Sequence, residues 1–236
     1  MAADSPNSAA IARANELPIY CPSDVARHAS QDDAWVSLAG RVYDVTPLLK
    51  PGGVRIAADA ETLIAAMGTD VSHWFDAGGE NVKTFVDPVT SLVSPYLPGG
   101  RFPHIPPTAV PTTGWAPPNS PPWWQNPSFV VGRLSPTPRQ VRIVNTLSSH
   151  EHLLDVGAEQ TVAEIAAKYL EFNAHSRGYV WKVLMPGGAI TPLDMERTLV
   201  ENGVEDDVEE REQLGLHGDE FLTHLLLYFA DGLTVA

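Results

Sequence analysis

The sequence predicts an α+β protein of two globular domains joined by a stiff connector, and three observations predict it. Residues 35–67 pass from strand-like alternation into an apolar pattern of helical spacing. Thirteen of the twenty-one prolines and three of the six tryptophans fall between Pro95 and Pro138. Beyond Gln140 the alternation resumes, and it ends in the apolar run from Thr223 to Phe229. The division that follows is a lead-in at 1–16, a first domain at 17–95, a connector at 96–138 and a second domain at 139–236.

In the first domain, Ser23 is a good N-cap for a short helix from Asp24 to Ala29, with Pro22 setting its entry. Trp35–Leu38 and Arg41–Val45 read as paired strands, with Ala39-Gly40 as the hairpin turn. Thr46 followed by Pro47 starts a helix. Asp59 to Met67 places Leu63, Ile64 and Met67 at helical spacing, and Gly68 stops it. Asp70 or Ser72 then caps a turn that buries Trp74 and Phe75.

Proline fixes φ and removes donors, so neither helix nor sheet is expected to propagate through the connector. Its Phe102, Trp115, Trp123, Trp124 and Phe129 are anchors on a stiff backbone. They either cover this chain's own domains or dock on a partner, and Trp115, Trp123 and Trp124 are the partner-binding candidates. In the second domain, Val141–Asn145 and His152–Val156 read as a strand pair. Thr161 caps a helix with Val162, Ile165, Ala166, Tyr169 and Leu170 on one face. Tyr179–Leu184 is a third strand, Thr198–Val204 a short helical turn, and Thr223–Phe229 a central buried strand.

Composition excludes several functions. A formal charge of −14 leaves no basic footprint for nucleic acid. No apolar run approaches the roughly 20 residues that span a bilayer, so no membrane partner is expected. The single cysteine, Cys21, excludes an intramolecular disulfide and fits a reducing compartment, and the first residues lack a secretion pattern. The glycine pairs lack the Gly-Lys-Ser/Thr continuation of a phosphate loop, and the scattered histidines lack metal-ligand spacing. The acidic run Glu205–Glu212 is a solvated face or a dock for a basic surface. Nothing points to catalysis.

Trp35-Val36-Ser37-Leu38-Ala39-Gly40-Arg41-Val42-Tyr43-Asp44-Val45-Thr46, answered by Gly68-Thr69-Asp70 and Trp74-Phe75, resembles the fingerprint of a cytochrome b5 haem-binding domain. The strand–strand–helix–strand order of the second domain resembles the ubiquitin-like β-grasp fold, without the terminal Gly-Gly of conjugating members. With segments 101–107, 122–125, 131–135, 142–147 and 226–229, the chain resembles the cytochrome b5 domain-containing proteins of motile cilia. That resemblance implies an axonemal, non-enzymatic role, with radial-spoke and other axonemal proteins as partners. The family's haem b sits in an apolar cleft between two axial histidines. Here Lys50 stands at the first position, and Asp76–Glu80 offers no histidine for the second. The resemblance therefore implies haem b only through non-standard ligation, with His73 as the candidate ligand. The rival for His73 is a hydrogen bond at the domain rim. Two other functions stand beside docking: a haem-binding redox sensor using His73, and a ubiquitin-related adaptor.

Overall fold

The computed structural model describes residues 17–50, 57–105, 121–185, 187–205, 213–215 and 222–229. The lead-in, the Pro51-Gly52-Gly53 turn, Trp115, most of the acidic run and the C-terminal tail lie outside these residues. Two compact units divide the chain at Leu134/Ser135.

The first unit is built on a five-stranded sheet of order β1-β7-β4-β3-β2. These strands are β1 (Ile19–Tyr20), β2 (Ala29–Ser30), β3 (Asp33–Leu38), β4 (Arg41–Asp44) and β7 (Val130–Leu134). The β3–β4 hairpin turns where expected: Ala39 and Gly40 both have positive φ (47° and 76°), which matches the right-handed strand twist. Val36 pairs with Tyr43 and Ser37 with Val42. The fingerprint residues stitch later chain to β3. Thr46 Oγ1 accepts the Ala34 N–H at 2.9 Å. Ser37 N–H donates to Thr69 O, and Ser37 O accepts the Val71 N–H. Asp70 Oδ1 takes the Ser72 N–H at 2.6 Å, and Ser72 Oγ takes that of Ala39.

Two helices differ slightly from expectation. Helix α1 spans Pro22–Arg27, with Cys21 as N-cap rather than Ser23. Pro22 occupies the first helical position, and Asp24 Oδ2 accepts the Cys21 N–H at 2.7 Å, which moves the start forward. After the single turn α2 (Thr46–Leu49), helix α3 runs over Ala57–Ala65. Ala66 and Met67 continue it as bonds to Leu63 O and Ile64 O, a tightened last turn before Gly68. A small hairpin follows, β5 (Thr84–Val86) with β6 (Val93–Pro95).

The connector reading is corrected at its second half. The first unit continues to Leu134, and β7 is an interior strand, antiparallel to β4 and parallel to β1. Proline does stop long elements, but Val130–Leu134 contains none, and five residues suffice for a strand. Gly132 is required there. A Cβ would collide with the Tyr20 ring and lie 2.7 Å from Pro18 O.

The second unit has a five-stranded sheet of order β11-β10-β12-β8-β9. Its strands are β8 (Pro138–Asn145), β9 (Glu151–Gly157), β10 (Tyr179–Leu184), β11 (Ile190–Pro192) and β12 (Thr223–Phe229). β8 and β9 form an antiparallel hairpin, β12 lies parallel to β8 at the centre, and β10 is antiparallel to β12. Helix α4 (Val162–Lys168) buries Val162, Ile165 and Ala166, and Tyr169 follows them in, against Val141, Ile143, Trp181, Leu225 and Leu227. Thr161 caps the helix as the sequence reads, and Glu164 completes a capping box. Thr161 Oγ1 accepts the Glu164 N–H, and Glu164 Oε2 accepts the Thr161 N–H.

Replacing Gly132 by Ala should pry β1 from β7 and lower stability by about 1–3 kcal/mol. Faster amide exchange at Arg133, whose N–H donates to Pro18 O, is the local readout. Unchanged exchange there would refute the close approach.

Candidate functional site

The interior of the first unit is an aromatic cluster built from three parts of the chain. Tyr43 comes from β4, Trp74 and Phe75 from the turn after Asp70, and Phe102, Trp123 and Trp124 from beyond the expected domain end. Trp74 stacks on Phe102 at 4.8 Å between centroids. Phe75 meets Phe102, Trp123 and Trp124 at 5.8, 6.1 and 5.4 Å. Tyr43 meets Trp123 edge-on at 5.5 Å, and the two tryptophans cross at 87°. Such offset and edge-to-face contacts are the favourable arrangements of ring quadrupoles.

Polar bonds lock the cluster's rim. Tyr43 O–H donates to Trp124 O at 3.2 Å, and burial raises the Tyr43 pKa above its ordinary value. Trp124 Nε1 and Gln125 Nε2 both donate to Glu80 O. His104 Nδ1 accepts the Trp123 N–H at 3.1 Å, and burial lowers the His104 pKa from 6.5. His104 therefore stands as a neutral acceptor.

The docking expectation for Trp123 and Trp124 is corrected here. They are 0% and 8% exposed, because the apolar side of the sheet needs a cover and these rings supply it. Trp115 lies outside the described residues. Of the two readings of His73, haem ligand or rim residue, the structure places it on the rim. Ser72–Trp74 is a 3₁₀ turn that sends Trp74 and Phe75 inward and leaves His73 exposed.

A b-type haem requires two donor atoms facing each other across an open apolar gap. The described residues do not fit it. His73 is outside, and His28, the C-cap of α1, stacks on Trp35 at 3.6 Å and bonds Asp33 at 2.7 Å. His104 is committed to Trp123, and Lys50 is exposed. The segment where the family carries its second histidine is a self-bonded turn. Asp76 Oδ1 accepts the Glu80 N–H, and Oδ2 accepts from Asn81, which holds the Asp76 carboxyl below its usual range. Gly79 packs so closely that a Cβ would lie 2.8 Å from that of Ala39. Among the described residues, the cluster atom buried without a partner is Trp123 Nε1, an N–H donor that cannot bind iron. A 430 Å³ cavity beside the cluster is lined by Arg41, Tyr43, Glu80, Asn81 and Gln125 among others, and its described lining residues include no His, Cys or Met. No group of three His, Cys, Asp or Glu able to hold a metal occurs among the described residues.

Sequence reading missed His104 and the joint role of Tyr43. The available signal was aromatic density: tryptophans in a proline-rich stretch are too apolar to stay in water.

The hairpin, the Asp70 stitch and the helices above the sheet define a cytochrome b5-like domain. The model of the cytochrome b5-like heme/steroid binding domain matches residues 22–99. "Cytochrome b5 domain-containing protein 1" of Xenopus laevis is 44% identical over 217 residues, covering 91% of this chain and 95% of that one. The Homo sapiens protein of that name is 39% identical, covering 91% of each. The chain belongs to this cytochrome b5 domain-containing protein 1 family. A solved Rasip1 RA domain matches with a TM-score of 0.24 at 14% identity, covering 39% of this chain and 89% of that one.

Trp123→Ala should cost about 3–5 kcal/mol in chemical denaturation, as emptying a packed aromatic site does. A loss below that of an exposed substitution would return Trp123 to the surface. His104 adds a pH dependence. Its folded pKa lies below 6.5, so the unfolded state binds the extra proton first as pH falls. Its contribution is complete above pH 6.5 and declines as pH drops from there through the folded pKa. His104→Asn keeps an acceptor and tolerates the positive φ of 74° at this position. The variant's melting temperature should lose less between pH 7 and 5 than the parent's.

Proposed function

We propose that this chain is a non-enzymatic docking protein of the ciliary axoneme, a radial-spoke component whose b5-like domain works as a haem-free scaffold. One observation carries the scaffold reading: Phe102, Trp123 and Trp124 fill the interior against Trp74 and Phe75. The ciliary placement and the radial-spoke and axonemal partners draw on the resemblance of segments 101–107, 122–125 and 142–147. The second unit is a ubiquitin-like β-grasp, a reading supported by its parallel central pair β8/β12 and the helix between β9 and β10. It serves as a binding module.

Hemin titration of the full chain should give no six-coordinate Soret spectrum, and His73→Ala should not change the result. A strong six-coordinate band lost in His73→Ala would replace the scaffold with the haem sensor. A fluorescently tagged chain should enter cilia; exclusion from them would leave the ubiquitin-related adaptor.

A further inference from the structure

Within the first unit, the hairpin 84–96 has the opposite character from the aromatic cluster. Phe85, Val86, Val89, Leu92, Val93 and Tyr96 are all exposed, from 41% at Phe85 to 90% at Val89. Monomeric surfaces scatter such residues singly, and gathering them marks an interaction site. The hairpin is nonetheless well formed. Asp87 Oδ1 accepts the Val89 and Thr90 N–H groups, and Ser91 N–H donates to Asp87 O. Its shape therefore exists before any partner arrives.

The ladder shows which edge is open. Asp87 N–H donates to Leu92 O, and Tyr96 N–H donates to Lys83 O. Phe85 and Ser94 pair between those two bonds, so alternation makes Thr84/Pro95 and Val86/Val93 the non-hydrogen-bonded pairs. The backbone groups of Thr84 and Val86 then point away from β6. On the other edge Pro95 has no N–H, which blunts that side. Among the described residues no strand pairs with the outer edge of Thr84–Val86, which is flanked by apolar side chains.

We infer that the Thr84–Val86 edge receives an extended, apolar segment of a basic protein partner, which adds a third strand to the hairpin. Residues 84–100 carry one formal charge, Asp87, whose carboxylate is already bonded to its own turn. The strand contact is therefore apolar, while the chain's charge of −14 attracts a cationic partner and opposes a second copy. A lipid surface would leave the Thr84 and Val86 amides without acceptors. The inference extends the docking reading by naming a surface, and its test is independent of the hemin spectrum and of ciliary placement.

The probe is a synthetic octapeptide of alternating Thr and Val flanked by lysines, added to the full chain. Its control is the same peptide N-methylated on alternate residues, which cannot pair. The parent peptide should bind in fluorescence anisotropy and slow amide exchange at Thr84 and Val86, with the methylated peptide weaker by about tenfold or more. Val86→Pro removes an outward donor and should weaken binding similarly while leaving exchange in β3 and β4 unchanged. Val86→Lys, at an exposed side chain, is the second variant and should weaken it as well. Equal binding of both peptides, or binding of neither, overturns the inference. So does a dimer in sedimentation that Val86→Pro dissolves, which would assign the edge to a second copy. A photo-crosslink from position 86 into residues 135–236 of the same chain would assign it to this chain. Binding to neutral phosphatidylcholine vesicles that Val86→Lys abolishes would assign the hairpin to lipid.

Discussion

The first unit depends on the seating of Trp123 between Tyr43, Phe75 and Trp124. A two-layer domain must cover the apolar side of its sheet, and here the helices supply only part of the cover. Phe102, Trp123 and Trp124 complete it from outside the region that matches the b5-like model, which ends at residue 99. Each such ring buries a large apolar area, and favourable ring pairs add about 0.5–1.5 kcal/mol beyond burial. The closure is long-range: Tyr43 bonds Trp124 O across 81 residues, and β7 then joins β4 and β1. Each doubling of a loop adds only about 0.6 kcal/mol of closure entropy, so the contacts outweigh the length. The domain is thus a b5-like core finished by the chain that follows it.

The same seating decides the chemistry. A haem cleft needs an open gap and opposed ligands, whereas this interior is ring against ring. The exposed Lys50 is one part of a wider departure from the haem site that the resemblance implies. The Asp76–Asn81 turn contains no histidine, packs Gly79 on Ala39, and offers Glu80 O to Trp124 and Gln125. His104 is held neutral as an acceptor for the backbone that carries Trp123. Among the described residues, groups that could bind iron are exposed or committed to packing, which is consistent with the proposed scaffold.

Local features were legible in the sequence because local chemistry sets them. Ala39-Gly40 makes the hairpin turn, and Thr161 caps α4, whatever surrounds them. The second unit's strand pair, helix and central apolar strand were read for the same reason. The rest depends on distant partners. Proline density forbids long elements but says nothing of Val130–Leu134, whose pairing with β4 is non-local. The pattern leaves His73 open between ligand and rim, and the 3₁₀ turn decides it, since there a shift of one residue exchanges inside for outside. The β5–β6 hairpin was not read from the sequence, and the exposure of its apolar residues is a property of the fold and not of the pattern.

Filling the interior also suits a docking role physically. A surface offered to partners binds more tightly when little ordering remains to be done on contact. The aromatic cluster fixes the sheet, the bond from Lys83 N–H to Trp74 O ties the hairpin's base to that cluster's turn, and Asp87 shapes its tip. Charge and apolar area then act at different ranges. The net charge of −14 acts over about a Debye length and raises the encounter rate with basic surfaces. In the proposed complex the charge-poor hairpin would act only at contact, where burial and strand pairing would set its lifetime. A haem in the same domain would add nothing to either step, whereas a solid core is necessary to the second.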